Sequence, residues 1–237
     1  MAKSNDRTSV PGPAFIRLLA RLIEAQVTQP ADALSDRLSQ WISWTRAVAL
    51  SRALDGTLPT AGIDATPPEE DVQEECLRVR ASLAKAINNE PAAATTDYTV
   101  LRQRYVDRQR AMQSATGRLR GQLRDRLAKV SVDMARLAEV DAVMEATLSP
   151  REQSLLASVP TLLGAHYERL RLAQTQHDQP AATGQSSPFA PEAWLEIFRK
   201  DMHGVLLAEL DVRFQPIEGL LAALRSHALG SHAQNYA

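Results

Sequence analysis

The stretch Asp97–Leu148, DYTVLRQRYVDRQRAMQSATGRLRGQLRDRLAKVSVDMARLAEVDAVMEATL, decides the fold class. It has no proline, and the strong helix formers Ala, Leu, Arg and Gln dominate it. Read as one helix at about 1.5 Å per residue, its roughly 50 residues span roughly 75 Å. That is longer than a compact domain of this size. Its apolar positions are Tyr105, Met112, Leu119, Leu123, Leu127, Val130, Met134, Leu137, Val140, Met144 and Leu148. From Leu127 the steps are three, four, three, three, four and four, which resembles a coiled-coil seam. The two steps of four through Leu119, Leu123 and Leu127 act as a stutter in that phase. Such a helix packs antiparallel on its neighbours or forms the seam of a homo-oligomer. Gly117 and Gly121, four apart within it, mark either a close helix approach or local softness.

Towards the C-terminus, Ser149-Pro150-Arg151-Glu152 has the pattern of a capping box. It predicts a sharp turn after Leu148 and a new helix carrying Leu155, Leu156, Val159, Leu162, Leu163, His166, Tyr167 and Leu170 on one stripe. Pro160 kinks or restarts that helix. Together these helices form an antiparallel hairpin over 97–178. Residues 179–191, rich in Pro, Ser, Gly and Gln, read as a flexible linker. From Trp194 to Leu224, apolar residues recur at helical spacing, with Pro216 giving a kink or two shorter helices. The tail 230–237 is small and polar, and reads as loose.

Towards the N-terminus, residues 1–10 are polar and frayed. Phe15, Leu18, Leu19, Leu22 and Ile23 form an amphipathic stripe. A second helix runs from about Pro30 to Leu54, stopped at Asp55-Gly56, with Leu34, Leu38, Trp41, Ile42, Thr45 and Val48 on one face. Residues 56–68 are a linker. Thr66-Pro67-Pro68-Glu69 caps a third helix, whose acidic start suits the helix dipole. Its stripe is Val72, Cys76, Val79, Leu83 and Ile87. The fold expected is all-α: an elongated bundle in which a body, 1–178, contains the coiled-coil-like hairpin 97–178. The segment 192–229 packs on that body.

Composition narrows the function. The 27 basic residues nearly balance the 28 acidic ones, so a globally basic nucleic-acid binder is disfavoured. The single cysteine, Cys76, excludes an intramolecular disulfide framework and a multi-cysteine zinc site. On an apolar stripe, Cys76 reads as a small buried hydrophobe. The first apolar run is broken by Arg17, Arg21 and Glu24, so it lacks the continuous apolar region of a secretory signal. No segment reaches the roughly 20 apolar residues that span a bilayer. A cytoplasmic location without membrane insertion is expected. His166, His177, His203, His227 and His232 show no metal-ligand spacing, and no glycine-rich phosphate loop is present. No cofactor, metal or catalytic residue is therefore assigned, and the expected role is non-enzymatic.

Two features point to partners. Residues 98–130 carry nine basic side chains against two acidic ones, a net +7. Arg118, Arg120, Arg124 and Arg126 are its candidate contact residues. They form a solvated face paired with acidic helices, a face for an acidic protein, or a phosphate-binding face for nucleic acid. Trp41 and Trp44, three apart, are core anchors or exposed anchors for a partner.

Phe15–Leu22 (FIRLLARL), Leu38–Thr45 (LSQWISWT) and Val205–Arg225 (VLLAELDVRFQPIEGLLAALR) together resemble an uncharacterised family of proteobacterial helical proteins, a domain of unknown function. The resemblance covers nearly the whole chain, and its C-terminal stretch is the most specific part. Genes of that family often neighbour ones for MotA/ExbB-like proton-channel subunits and OmpA/MotB-like proteins. It therefore implies a cytoplasmic adaptor, accessory to an envelope proton-channel-type complex, with a membrane channel subunit as partner. It supplies no catalytic residues.

Overall fold

The computed structural model describes residues 13–23, 34–55, 69–89, 95–177 and 193–235. Every regular element among them is a helix: α1 (Ala14–Leu22), α2 (Leu34–Trp41), α3 (Trp44–Asp55), α4 (Glu69–Asn88), α5 (Tyr98–Val130), α6 (Val132–Leu156), α7 (Val159–His177) and α8 (Ala193–Asn235). The architecture is an all-α, multi-helix bundle. The frayed start at 1–10, the 56–68 linker with its Thr66 cap, and the 179–191 linker lie outside the described residues.

α8 is the hub, packing on α1, α4, α5 and α7, while α6 packs on α5 and α3. The reason is in its sequence. Leu195, Phe198, Met202, Val205, Leu206, Leu210, Phe214, Ile217, Leu220 and Leu221 recur at three and four and are all buried. α5 answers with Leu101, Tyr105, Met112, Leu119, Leu123 and Leu127. α4 contributes Val72, Cys76 and Ile87, and α1 contributes Phe15 and Leu22. Between α4 and α8 the packing is closed by Arg80. It reaches Asp211 at 2.7 Å and Glu218 at 2.6 Å, and its guanidinium lies 5.6 Å from the centre of the Phe214 ring.

The helix boundaries depart from the sequence reading in several places. The long helix expected over 97–148 breaks at Ser131. That residue is extended, and its hydroxyl accepts from the Met134 amide at 3.2 Å, an N-cap with Asp133 in the following turn. The turn expected after Leu148 is absent: α6 runs through Pro150 to Leu156. Proline removes the hydrogen bond to the Ala146 carbonyl and its ring crowds that carbonyl, a cost that the packing of α6 on α5 and α3 outweighs. The capping box is not used, because Glu152 turns towards Arg213 on α8, 3.8 Å away. The break comes instead at Ala157-Ser158, and Pro160 sits in the first turn of α7, so this proline restarts the helix. α6 and α7 thus make one long, bent helix.

Three further expectations are corrected. The single helix over Pro30–Leu54 is divided at Ile42-Ser43, where the Ser43 hydroxyl accepts from the Arg46 amide at 3.4 Å. α8 is one helix through Pro216, not two shorter ones, and runs to Asn235. A Cβ added to Gly117 or Gly121 would meet nothing within 4 Å, so this pair does not mark a close helix approach. The close approach is at Gly164, whose added Cβ would lie 2.9 Å from the Tyr98 ring.

Candidate interaction surfaces and a polar cleft

The four candidate arginines, Arg118, Arg120, Arg124 and Arg126, separate. Arg118 is exposed and makes no ion pair among the described residues. Arg120 forms a two-pronged contact with Asp141 on α6, at 2.6 and 2.8 Å. Arg124 bridges Asp141 at 3.3 Å and Glu145 at 2.5 Å. Arg126 reaches Glu75 on α4 at 3.4 Å. Burial works to lower the Arg120 pKa, but the Asp141 hydrogen bond and the charges of Asp141, Glu145 and Glu152 raise it above its ordinary value. Three of the four guanidiniums therefore tie α5 to its neighbours. Arg120→Ala should cost about 2 kcal/mol of unfolding free energy, below the full buried-pair value because some solvent access remains. Arg118→Ala should change stability by less than about 0.5 kcal/mol. Urea titrations of the two variants check the contrast.

The tryptophans part company too, because the chain breaks between them. Trp41 ends α2 with two guanidiniums against its ring: Arg37 lies 5.0 Å and Arg151 of α6 4.9 Å from its centre. Trp44 opens α3 and is 84% exposed. One helical turn beyond Arg151, Leu155 is also exposed, off the buried stripe that the sequence predicts for it.

The polar residues the sequence reading missed lie inside the bundle. Glu209 on α8 is fully buried. One of its oxygens accepts from Nε and Nη2 of Arg213, at 3.0 and 2.7 Å; the other accepts from the Tyr105 hydroxyl at 2.8 Å and the Gln109 amide at 2.9 Å. Glu209 and Arg213 are four apart on one helix, which is legible. Tyr105 is 104 residues away and reads as apolar stripe. Above this network, α5, α6 and α8 enclose a cleft of about 440 Å³, lined by Gln113, Gly117, Ser149, Glu152, Gln153 and Arg213 among others. A larger and more apolar groove, about 510 Å³, lies between α4, α5 and α8; there Arg199 turns to Glu196 at 2.6 Å.

A second buried centre joins α7 to α8. His166 contacts Asp201 through Nε2 and Arg169 through Nδ1, both at 2.8 Å. A guanidinium only donates, so Nδ1 accepts and the Nε2–H donates to Asp201. Arg169 also donates to the Leu22 carbonyl at the end of α1. Beside it, Tyr98, Tyr167 and Phe198 stack edge to face or tilted, with centroids 5.2 to 6.1 Å apart. The Tyr98 hydroxyl donates to the Pro160 carbonyl and that of Tyr167 to the Thr96 carbonyl. Burial pushes the Tyr98 phenol up to about 12, against the lowering influence of Arg102. It raises Tyr167 as well, and Tyr105 further, beside Glu209. A phenol whose pKa rises on folding favours the folded state fully below its unfolded value of about 10. Stability should therefore fall as pH climbs from about 10 through about 12. Phenolate absorbance and circular dichroism followed together should show ionisation coincident with unfolding.

Cys76 is buried, and burial, then Glu75, raises its thiol pKa, which matches a packing role. Among the described residues, no group of three His, Cys, Asp or Glu could hold a metal ion, and no helix is long and apolar enough to cross a membrane.

No curated protein and no solved structure matches the chain. A protein family does: residues 1–226 match the family described as "Protein of unknown function (DUF3348)". With nearly its whole length inside that match, and with an all-helical fold, the chain belongs to the DUF3348 family.

Proposed function

We propose that this protein is a non-enzymatic interaction protein that docks a protein partner at the corner between α2 and α3. The observation that carries the reading is Trp44, 84% exposed at the start of α3. An exposed Trp is a residue type enriched in interface hot spots. Arg37 and Arg151, both against the neighbouring Trp41 ring, supply the cationic flank. A partner surface with an apolar socket and acidic rim fits this corner. The accessory role beside an envelope proton-channel-type complex, implied by the family resemblance, names a class of partner: a channel subunit with a cytoplasmic face.

The alternative, sequence-nonspecific nucleic-acid binding through the Arg-rich half of α5, has less support. Arg120, Arg124 and Arg126 already face Asp141, Glu145 and Glu75. A crosslinked pull-down from the native cells, with nuclease treatment, tests both readings. A defined partner should be recovered with the wild-type protein, and its yield should fall about tenfold with Trp44→Ala, a loss of about 1.4 kcal/mol. Recovery of nuclease-sensitive proteins only, unchanged by Trp44→Ala, counts against the adaptor reading.

A further inference from the structure

Burying a glutamate and an arginine in an apolar core is seldom a gain in stability. The Glu209–Arg213 pair has a consequence beyond stability: it aims a guanidinium. The Arg213 side chain is only 7% exposed, and two of its nitrogens are held by one Glu209 oxygen. Its third, Nη1, makes no hydrogen bond among the described residues. The nearest carboxylate oxygen to it is that of Glu152, at 3.8 Å, beyond hydrogen-bond reach. Both residues line the cleft between α5, α6 and α8. The cleft therefore presents a fixed cationic N–H and a half-exposed carboxylate side by side, with their direct bond unmade.

The rest of the lining mixes polar and apolar groups, Val212 and Pro216 among the latter, and its charges are neutral in sum. Arg120 and Arg213 balance Glu145 and Glu152. The side chains of Gln113, Ser149, Gln153 and Gln215 make no hydrogen bond among the described residues, so they are available to a guest. Gly117 adds an independent sign. In a helix interior, Gly is about 1 kcal/mol worse than Ala. Here it lines the cleft, and its absent Cβ would stand in open space. A side chain there would project into the cleft.

We infer that this cleft is a binding site for a small zwitterion of the α-amino-acid type. Its carboxylate takes Arg213 Nη1, its ammonium takes Glu152, and the amides of Gln113 and Gln153 receive its polar groups. An anion alone meets Glu145 and Glu152, and a cation alone meets Arg120 and Arg213; a zwitterion satisfies both signs. The volume, about 440 Å³, lies in the lower part of the range of small-molecule sites. The site is separate from the Trp44 corner, so either reading can fail without the other.

The test is isothermal titration calorimetry of the full chain against each of the standard L-α-amino acids at millimolar concentration. Saturable binding of at least one is expected. Its N-acetyl derivative, which lacks the ammonium, should bind at least about tenfold more weakly. Gly117→Leu should abolish binding while leaving the thermal midpoint no lower than that of the wild type. Glu152→Gln, a change at a half-exposed position, should weaken binding about tenfold and serves if Gly117→Leu does not fold. No saturable heat with any amino acid overturns the inference. So does equal affinity for the N-acetyl derivative, or affinity unchanged in folded Gly117→Leu and in Glu152→Gln.

Discussion

Glu209→Ala should lower the unfolding free energy by about 3–5 kcal/mol. That is a large share of the roughly 5–15 kcal/mol that holds a domain folded. The mutation removes four hydrogen bonds at once and leaves Arg213, Tyr105 and Gln109 with buried polar atoms facing a void. The cost comes mainly from the orphaned guanidinium, because an uncompensated charge in low dielectric is far worse than no charge. Replacing both members by apolar residues, Glu209→Leu with Arg213→Met, should recover most of the loss. Urea denaturation of the two variants measures this. A single-mutant loss below about 1 kcal/mol would mean that water entering from the cleft replaces the lost Glu209 contacts of Arg213. The double variant would also abolish the proposed zwitterion site while restoring stability, which separates the two roles of Arg213.

Phe198→Ala should cost about 3–5 kcal/mol. Phe198 is fully buried on α8, and its ring meets Tyr98, Tyr167 and His166. The cavity would open where α5, α7 and α8 converge. It cannot close by collapse, because the two tyrosine hydroxyls are anchored to the carbonyls of Pro160 and Thr96. A second reading is available in the same sample. With water admitted, burial would raise the Tyr98 phenol less, so its ionisation should move down from about 12. A loss under about 1.5 kcal/mol, with the phenolate titration unmoved, would show that the cluster repacks.

Much of the architecture is legible along the chain. The helical class follows from composition and period, and the buried stripe of α8 can be read residue by residue from Leu195 to Leu224. The same holds for Val72, Cys76 and Ile87 in α4. Helix boundaries are less legible, because local signals compete with packing. Ser149-Pro150-Arg151-Glu152 carries a stronger stop signal than Ser131-Val132-Asp133-Met134, yet the chain breaks at Ser131. There the break lets Asp141 and Glu145 on α6 come opposite Arg120 and Arg124 on α5. A hydroxyl cap of about 1 kcal/mol cannot decide between two sites when such contacts differ between them.

The candidate surfaces show the same division. Charge counting finds the Arg118–Arg126 cluster, but it cannot distinguish Arg118, which is exposed, from Arg120, which is clamped by Asp141. Spacing finds the Trp41 and Trp44 pair, but not that a break at Ile42-Ser43 sets one against two arginines and leaves the other to solvent. The sequence by itself determined that this protein is helical and which face of most helices is apolar. That information is periodic and local, written within two turns of any residue. The tertiary structure alone decided which charges are spent, which tryptophan is exposed, and that Tyr105, Gln109, Glu209 and Arg213 converge under a cleft. These are juxtapositions across separate helices, up to 104 residues apart in the chain. No helical period encodes contacts at such separations; they form when apolar stripes bury one another and bring the polar residues along.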